Sequence, residues 1–419
     1  MNIIHQNTDF ELKLNIRLSN FWELRRIKYI TKISYGESLK EENRIDGSYT
    51  VFGSNGIVGS HDTSITDGET IIIGRKGSFG KLNWSPLPCF PIDTTFYIDK
   101  KNTSSNLRWL YYSLENLKLD SFTKDSSVPG INREEIYDRY IFYPSNQEQS
   151  QIVSFLDEKT SIIDDLIQKK LHKIDLLKEQ RTSIINQIVT KGLNSNVKMK
   201  DSGVEWIGDI PEHWRLTRLK YFVLFDSGYS FNSSDYSAEG ISLIRIGNLY
   251  NNILDLERSP VFVPERFLQD YPDFVVHKND ILVSLTGTLG KRDYGFSIVY
   301  DKEFPSLLNQ RVGRIKLVSQ ELNFHLLTYL LLSEIFLNQL FVKPTGTKQG
   351  NLSADDILTN YLPIPPLPEQ HQIVDYLDKK TSDIDKQVDL ENRKINLLKE
   401  YRQSLISEVV TGKIDVRTN

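Results

Sequence analysis

The sequence predicts an α+β protein in which two globular modules alternate with two long helices. Three observations carry that expectation. Residues 368–411 are a second copy of residues 147–190, offset by 221 positions without a gap and identical at 23 of 44 columns. Unrelated sequences match at about one position in twenty, so this is an internal repeat. Neither copy interrupts its helical spacing with an internal Gly or Pro, and apolar residues recur three and four apart, as in an amphipathic helix. Between the copies, short β-type runs alternate with Gly and Asn turn residues, the pattern of an α+β or mostly β module.

The helical copies read as heptads. In the first, Leu156, Ile163, Lys170, Leu177 and Ile184 share one core position, and Thr160, Ile167, Ile174, Arg181 and Ile188 the other. The second copy places Leu377, Ile384, Glu391, Leu398 and Leu405 against Thr381, Val388, Ile395, Arg402 and Val409. A seam this narrow suits a coiled coil better than a helix lying on a broad core. Identity at surface-type polar positions (Asp157, Lys159 and Thr160 against Asp378, Lys380 and Thr381) argues against two unrelated amphipathic helices.

Taken in order, the chain divides into residues 1–146, a first module; 147–200, a long helix and linker; 201–366, a second module; and 367–419, the second long helix. The duplication reaches the modules themselves. Residues 21–29, FWELRRIKY, are echoed by 213–221, HWRLTRLKY, with Gly36 and Gly228 following at the same distance. In the first module a strand is expected at 69–74, leading into the basic, Gly-rich loop 75–81. Another strand is expected at 89–98, a helix at 107–117 and a polar turn at 126–132. The second module repeats the plan. It has a strand and turn at 243–248, a strand at 280–285 leading into 286–292, a strand at 304–311, and a loop at 345–350 where 126–130 stood. Proline-rich 363–368 stops the chain before the second helix, because proline is tolerated in a helix's first turn and not inside it.

Length and composition bound the function. At 419 residues, two to four domains are expected. The chain is 39% hydrophobic and 25% charged, with no apolar run of membrane-spanning length and no basic-then-apolar leader, so a cytoplasmic location is expected. Cys89 stands alone, which excludes an intrachain disulfide and a zinc site of several thiolates. No P-loop, no G-x-G-x-x-G between strand and helix, and no Asn/Asp-Pro-Pro-aromatic tetrapeptide appears. No catalytic residue and no metal ligand is therefore expected. The formal charge of −4 speaks against a chain that grips DNA by neutralising many phosphates unaided, and not against local basic loops.

Such loops are present. Small residues beside Arg75, Lys76, Ser78 and Lys81, and in the second module Thr286, Thr288, Lys291 and Arg292, let backbone amides and basic side chains approach phosphates. The loops align as Gly77/Gly287, Ser78/Thr288, Gly80/Gly290 and Lys81/Lys291. Ser54, Asn55, Thr347, Lys348 and Gln349 are candidates for base edges, since Asn and Gln suit adenine and Lys suits guanine. Ser127, Arg245 and Asn248 complete the expected DNA-binding set.

With two divergent modules and two near-identical helices, the chain resembles the specificity subunit of type I restriction–modification systems. The residues that carry the resemblance are 366–374, PLPEQHQIV, with its echo QEQSQIV at 147–153; LLKE-x-R at 176–181 and 397–402; and KDSGVEWIGDIPEHW at 200–214. The resemblance implies two α/β target-recognition domains, each reading one half of a bipartite, asymmetric duplex DNA site. It further implies that the long helices pair as an antiparallel coiled coil in a pseudo-twofold, circularly repeated architecture, and act as a ruler. Two methyltransferase subunits would dock on the scaffold and modify adenine with S-adenosylmethionine. Restriction subunits would add an ATP- and Mg-dependent nuclease. The chain itself would bind no cofactor and catalyse nothing. The expected helix-pair core is Leu156, Ile163, Lys170, Ile174, Leu177 and Ile184 with Leu377, Ile384, Glu391, Ile395, Leu398 and Leu405. In an antiparallel pair the midpoints face each other, so Lys170 and Glu391 are expected to lie close and fix the register.

Overall fold

The apolar heptads become the two longest helices of the protein. The computed structural model describes residues 22–121, 130–343 and 349–417. Its helical frame comprises α1 (Leu107–Asn116), α2 (Asn146–Lys191), α3 (Phe324–Leu332) and α4 (Leu367–Val410). The chain forms two compact units, Met1–His172 with Glu391–Asn419, and Lys173–Leu390. The boundary therefore falls inside both long helices, and each unit holds one module with one segment of α2 and one of α4.

In the first unit a four-stranded antiparallel sheet has the order Ser34–Tyr35, Thr95–Asp99, Thr70–Gly74, Leu82–Ser85. A three-stranded sheet sets Tyr49–Gly53 between Gly56–His61 and Cys89–Pro91, the last of these parallel to it. Glu23–Arg26 pairs with Tyr140–Tyr143 and closes the module where the chain enters α2. The second unit repeats each feature. Its four-stranded sheet runs Val223–Ser227, Val312–Leu317, Ile281–Ser284, Ser297–Val299. Its other sheet sets Ile241–Ile244 parallel to Ser306–Leu308, and Arg215–Arg218 pairs with Tyr361–Ile364 as the closing ribbon. The single strand expected at 89–98 is two strands in different sheets. A turn in which Thr95 N–H and Oγ1 both donate to Ile92 O divides them, at 2.9 and 2.7 Å.

Each module is fixed to its long helix by the same polar contacts. Asn106 caps α1 by accepting from Arg108 and Trp109 N–H, and Asn323 caps α3 through His325 and Leu326 N–H. The N–H of each cap residue donates to a fully buried glutamine on the long helix: Asn106 to Gln149 Oε1 at 2.9 Å, Asn323 to Gln370 Oε1 at 2.7 Å. Six residues on, Tyr112 donates to Asp157 Oδ1 at 2.6 Å and Tyr329 to Asp378 Oδ1 at 2.7 Å. Each phenol oxygen also lies 3.1 Å from a threonine hydroxyl, Thr160 or Thr381. The identical polar positions of the repeat are thus the docking points of the modules. Burial, and after it the bonded carboxylate of Asp157, pushes the Tyr112 phenol up to about 12. Burial likewise raises Tyr329 to about 12, with Asp378 adding to the effect and Thr381 opposing it.

The expected seam is occupied. Leu156, Ile163, Ile174, Leu177, Leu377, Ile384, Ile395 and Leu405 are buried. Ile184 and Leu398 are only half-buried; near Ile184 the inward place passes to Ile185, which joins the core of the second module. There the helix faces a globular module, whose broader surface calls for more than the two coiled-coil positions. In the first unit Asp164 meets Arg402 at 3.1 Å and Lys170 Nζ lies 2.9 Å from Glu391 Oε2, so the segments run antiparallel. In the second, Arg181 meets Asp385 at 3.3 Å. Positions 164 and 385, and 181 and 402, are equivalent in the repeat, so one ion pair has been written twice.

The Glu391 side chain is 4% exposed and that of Lys170 25%, so a second carboxylate in place of Lys170 would sit against a buried one in the seam. Lys170→Glu is expected to cost about 3 kcal/mol or more in urea unfolding. The exchanged double variant, Lys170→Glu with Glu391→Lys, should recover only part of this, because Lys394 sits 3.3 Å from Glu391. The tyrosine anchors titrate on the alkaline side. Folding raises both phenols above their ordinary value of 10.0, so their contribution is complete below that pH and is lost as pH rises through about 12. Thermal melts should be flat up to about pH 10 and fall above it. Tyr112→Phe should weaken that fall and cost roughly 1.5–3 kcal/mol at neutral pH.

Candidate nucleic-acid interface

In the first unit the fold gathers the residues expected to meet DNA. Ser54 and Asn55 form the two-residue turn of the hairpin whose strands close at Gly53 and Gly56. Lys81 Nζ donates to both oxygens of Asn55, at 2.7 Å to the carbonyl and 2.9 Å to Oδ1, and so ties this turn to the loop 75–81. Gly77 and Gly80 hold φ of +73° and +72°, a left-handed backbone that favours glycine. Gly80 has a second reason to lack a side chain, since a Cβ there would collide with the backbone of Leu119 and Asp120. Lys76, Gly77 and Ser78 are exposed at the tip, and Lys76 bridges to Gly130. Arg75 is held from below, donating to Asp93 O at 2.7 Å and lying over the Tyr35 and Phe96 rings.

The second unit brings together a different subset. Thr286–Thr288 is a strand paired with Gln349–Asn351, which sets Thr288 opposite Gln349 and Thr286 opposite Asn351, and Lys291 follows exposed. Gly287 lies in this strand without the positive φ of Gly77, so the sequence alignment of the two loops does not extend to their backbones. Gly290 keeps it, at +83°. Arg292 is turned to the helix Glu334–Phe341, donating to Glu334 and Asn338 and stacking on Phe341. Asn248 is 3% exposed; it accepts from Arg245 N and donates to Asp255 O and Arg258 O, while Arg245 donates to Ser259 O. Both hold a loop closed, and Asn248 has no face to offer a ligand. Ser127, Thr347 and Lys348 lie outside the described residues. Among the described residues, no group of His, Cys, Asp and Glu could hold a metal, and no single helix is long and apolar enough to cross a membrane.

Two globular modules with one frame and different exposed loops, each continuous with a long helix, match a known pattern twice over. The sequence model of the type I restriction modification DNA specificity domain covers residues 20–176 and again 211–400. The chain belongs to that family. Each specificity domain therefore comprises one module and most of the long helix after it. Among curated relatives, the type I restriction enzyme MjaVIII specificity subunit of Methanocaldococcus jannaschii is 25% identical, with 99% of this chain and 97% of the relative covered. The type I restriction enzyme EcoBI specificity subunit of Escherichia coli is 24% identical over 83% of this chain and 74% of the relative. A solved structure concerned with complex assembly and conformational transition of the type I R-M system shares the fold. Its TM-score is 0.63 at 14% identity, covering 95% of this chain and all of the other. The chain is a DNA specificity subunit of the type I restriction–modification class, a non-catalytic one.

Sequence reading passed over the residues that seat each specificity domain on its helix. Asn106 and Tyr112 recur as Asn323 and Tyr329 at a constant offset, and that pairing was available as a signal. The first domain is further fastened by Glu148, which accepts from Trp22 Nε1 at 3.1 Å and lies 3.5 Å from Arg417. In the second domain the equivalent Glu369 meets His213 at 2.8 Å. Gly80→Ala should lower the melting temperature, at a cost of roughly 1–3 kcal/mol from left-handed backbone strain alone and more from the collision with Leu119. Gly77→Ala, in open space, should incur the backbone term only.

Proposed function

We propose that each specificity domain reads one half of a bipartite, asymmetric DNA site and that the paired helices set the number of unread base pairs between the halves. The observation that carries this reading is the pattern of the duplication: the Asn–Gln and Tyr–Asp–Thr contacts that dock each module on its helix are kept, while the exposed loops on the shared frame differ. A protein that binds one symmetrical target through two equal surfaces has no use for that difference. We further propose the boundaries 1–146 and 201–366 for the two target-recognition modules, with 147–200 as the first helical spacer region and linker and 367–419 as the second helical spacer region.

In this reading two methyltransferase subunits dock on the repeated helices and carry S-adenosylmethionine to an adenine in each half-site. Restriction subunits bring ATP and Mg. The reactions belong to these partners, and the complex works in the cytoplasm. This chain supplies position, which for duplex DNA means contacts to phosphates that fix register and contacts to base edges that carry sequence.

A helix of 44 residues spans about 66 Å. Inserting four residues into each helix lengthens it by ~6 Å, close to two base-pair steps of ~3.4 Å. Mapping N6-methyladenine across the genome should then show the same two half-sites with a longer spacer. An unchanged spacer would sink the ruler. Methylation that does not depend on the chain would sink the whole reading.

A further inference from the structure

We infer that Arg133 reads a guanine edge in the half-site of the first specificity domain, with Arg75 and Tyr35 as the platform that holds its guanidinium. The inference rests on the function proposed above and names a specificity residue within it.

Arg133 is the first residue of the short helix Arg133–Tyr137, which Asn132 and Glu135 cap reciprocally. Its guanidinium carbon lies 5.3 Å from the centre of the Tyr35 ring and 5.6 Å from that of Tyr137. The Arg75 guanidinium lies 5.4 Å from the same Tyr35 centre. Two guanidinium groups therefore share one aromatic ring, itself 49% exposed, beside the exposed Lys76. Arg75 is tethered through Asp93 O. Among the described residues, the one ion pair of Arg133 is a long one, 3.8 Å, to a mostly exposed Glu134. Stacking on aromatic rings is a favourable way to orient a guanidinium while leaving its N–H fork outward. Placing two like charges on one ring is unfavourable unless an acceptor meets them.

The second domain distinguishes frame from function. Arg75 corresponds to Leu285 by backbone bonds: Arg75 N donates to Thr94 O and Leu285 N to Arg311 O, while Ile131 N donates to Arg75 O and Leu352 N to Leu285 O. Tyr35 corresponds to Ser227, next to Gly36 and Gly228, which donate to the equivalent Thr95 O and Val312 O. Arg133 corresponds to Ala354, each the first residue of a five-residue helix with a capping box. All three positions have changed together while these backbone bonds and the helix cap have not. Residues needed for the frame, such as Tyr112 and Gln149, did not change in this way. A phosphate contact carries no sequence information and suits both half-sites alike, so a module-specific set points to base edges. For arginine in the major groove the favoured partner is guanine, through O6 and N7.

The test uses the full chain with its partner subunits in cells, comparing N6-methyladenine maps for the native protein, Arg133→Gln and Arg133→Lys. The expected result is a relaxed requirement at one guanine in one half-site, roughly ten- to hundredfold in discrimination, with the other half-site unchanged. Arg133→Lys, which keeps the charge and loses the fork, should relax the same position. Melting temperatures of the purified chains should be equal or slightly higher for Arg133→Gln, since a like-charge neighbour is removed; a structural arginine would lower them. An unchanged motif, or uniform loss of methylation at every site, overturns the inference and leaves the proposed function standing. A methylation map that ignores deletion of the whole chain removes the proposed function as well.

Discussion

The structure depends on a polar lock, buried on its glutamine and tyrosine side, between each module and its long helix. A glutamine on the helix accepts the N–H of an asparagine that is itself capping a module helix, and a tyrosine one and a half turns later donates to an aspartate of the same long helix. Apolar packing alone is non-directional and would let a module slide or rotate along 44 residues of amphipathic helix. Hydrogen bonds to a carboxylate and to a backbone amide, made from buried tyrosine and glutamine side chains, fix both the position along the helix and the rotation about it. For a module whose loops must be presented from a fixed place on its helix, that directionality matters more than the net energy of the bonds.

The same reasoning applies to the helix seam. Mostly apolar heptads would tolerate several registers, each one heptad from the next. Lys170 and Glu391 at equivalent places of the repeat favour one register, because any other loses their 2.9 Å ion pair across the seam. The duplicated Arg–Asp pairs then reinforce the choice from both sides of the midpoint. Arg402 does more than its counterpart, since it also reaches Glu115 on α1 at 2.7 Å and so joins seam to module.

What could be read without coordinates followed from what repetition preserves. The long helices, their near-exact limits, the Lys170–Glu391 contact and the shared plan of the modules were legible because they rest on period and offset, both properties of the chain as a string. The recognition loops were partly legible. Ser54, Asn55 and Arg75 to Lys81 do come together, since short turns between strands cannot travel far. Asn248 is spent inside its own loop, because the same amide that suits an adenine also suits two carbonyls nearby. The break between Cys89–Pro91 and Thr95–Asp99 was hidden because both pieces carry strand-forming residues, and only sheet assignment separates them.

By itself, then, the sequence determined that one plan was used twice, that the plan ends in a long helix, and that the exposed loops parted company while the frame did not. These follow from local periodicity and from comparison of the chain with itself. Only the tertiary structure decided which side chains stand together without being near in sequence. Tyr35, Arg75 and Arg133 share a ring across almost a hundred residues, and Gln149 meets Asn106 across forty-three. Such meetings depend on how sheets stack and where a helix docks, quantities set by the packing of the whole unit rather than by any local rule.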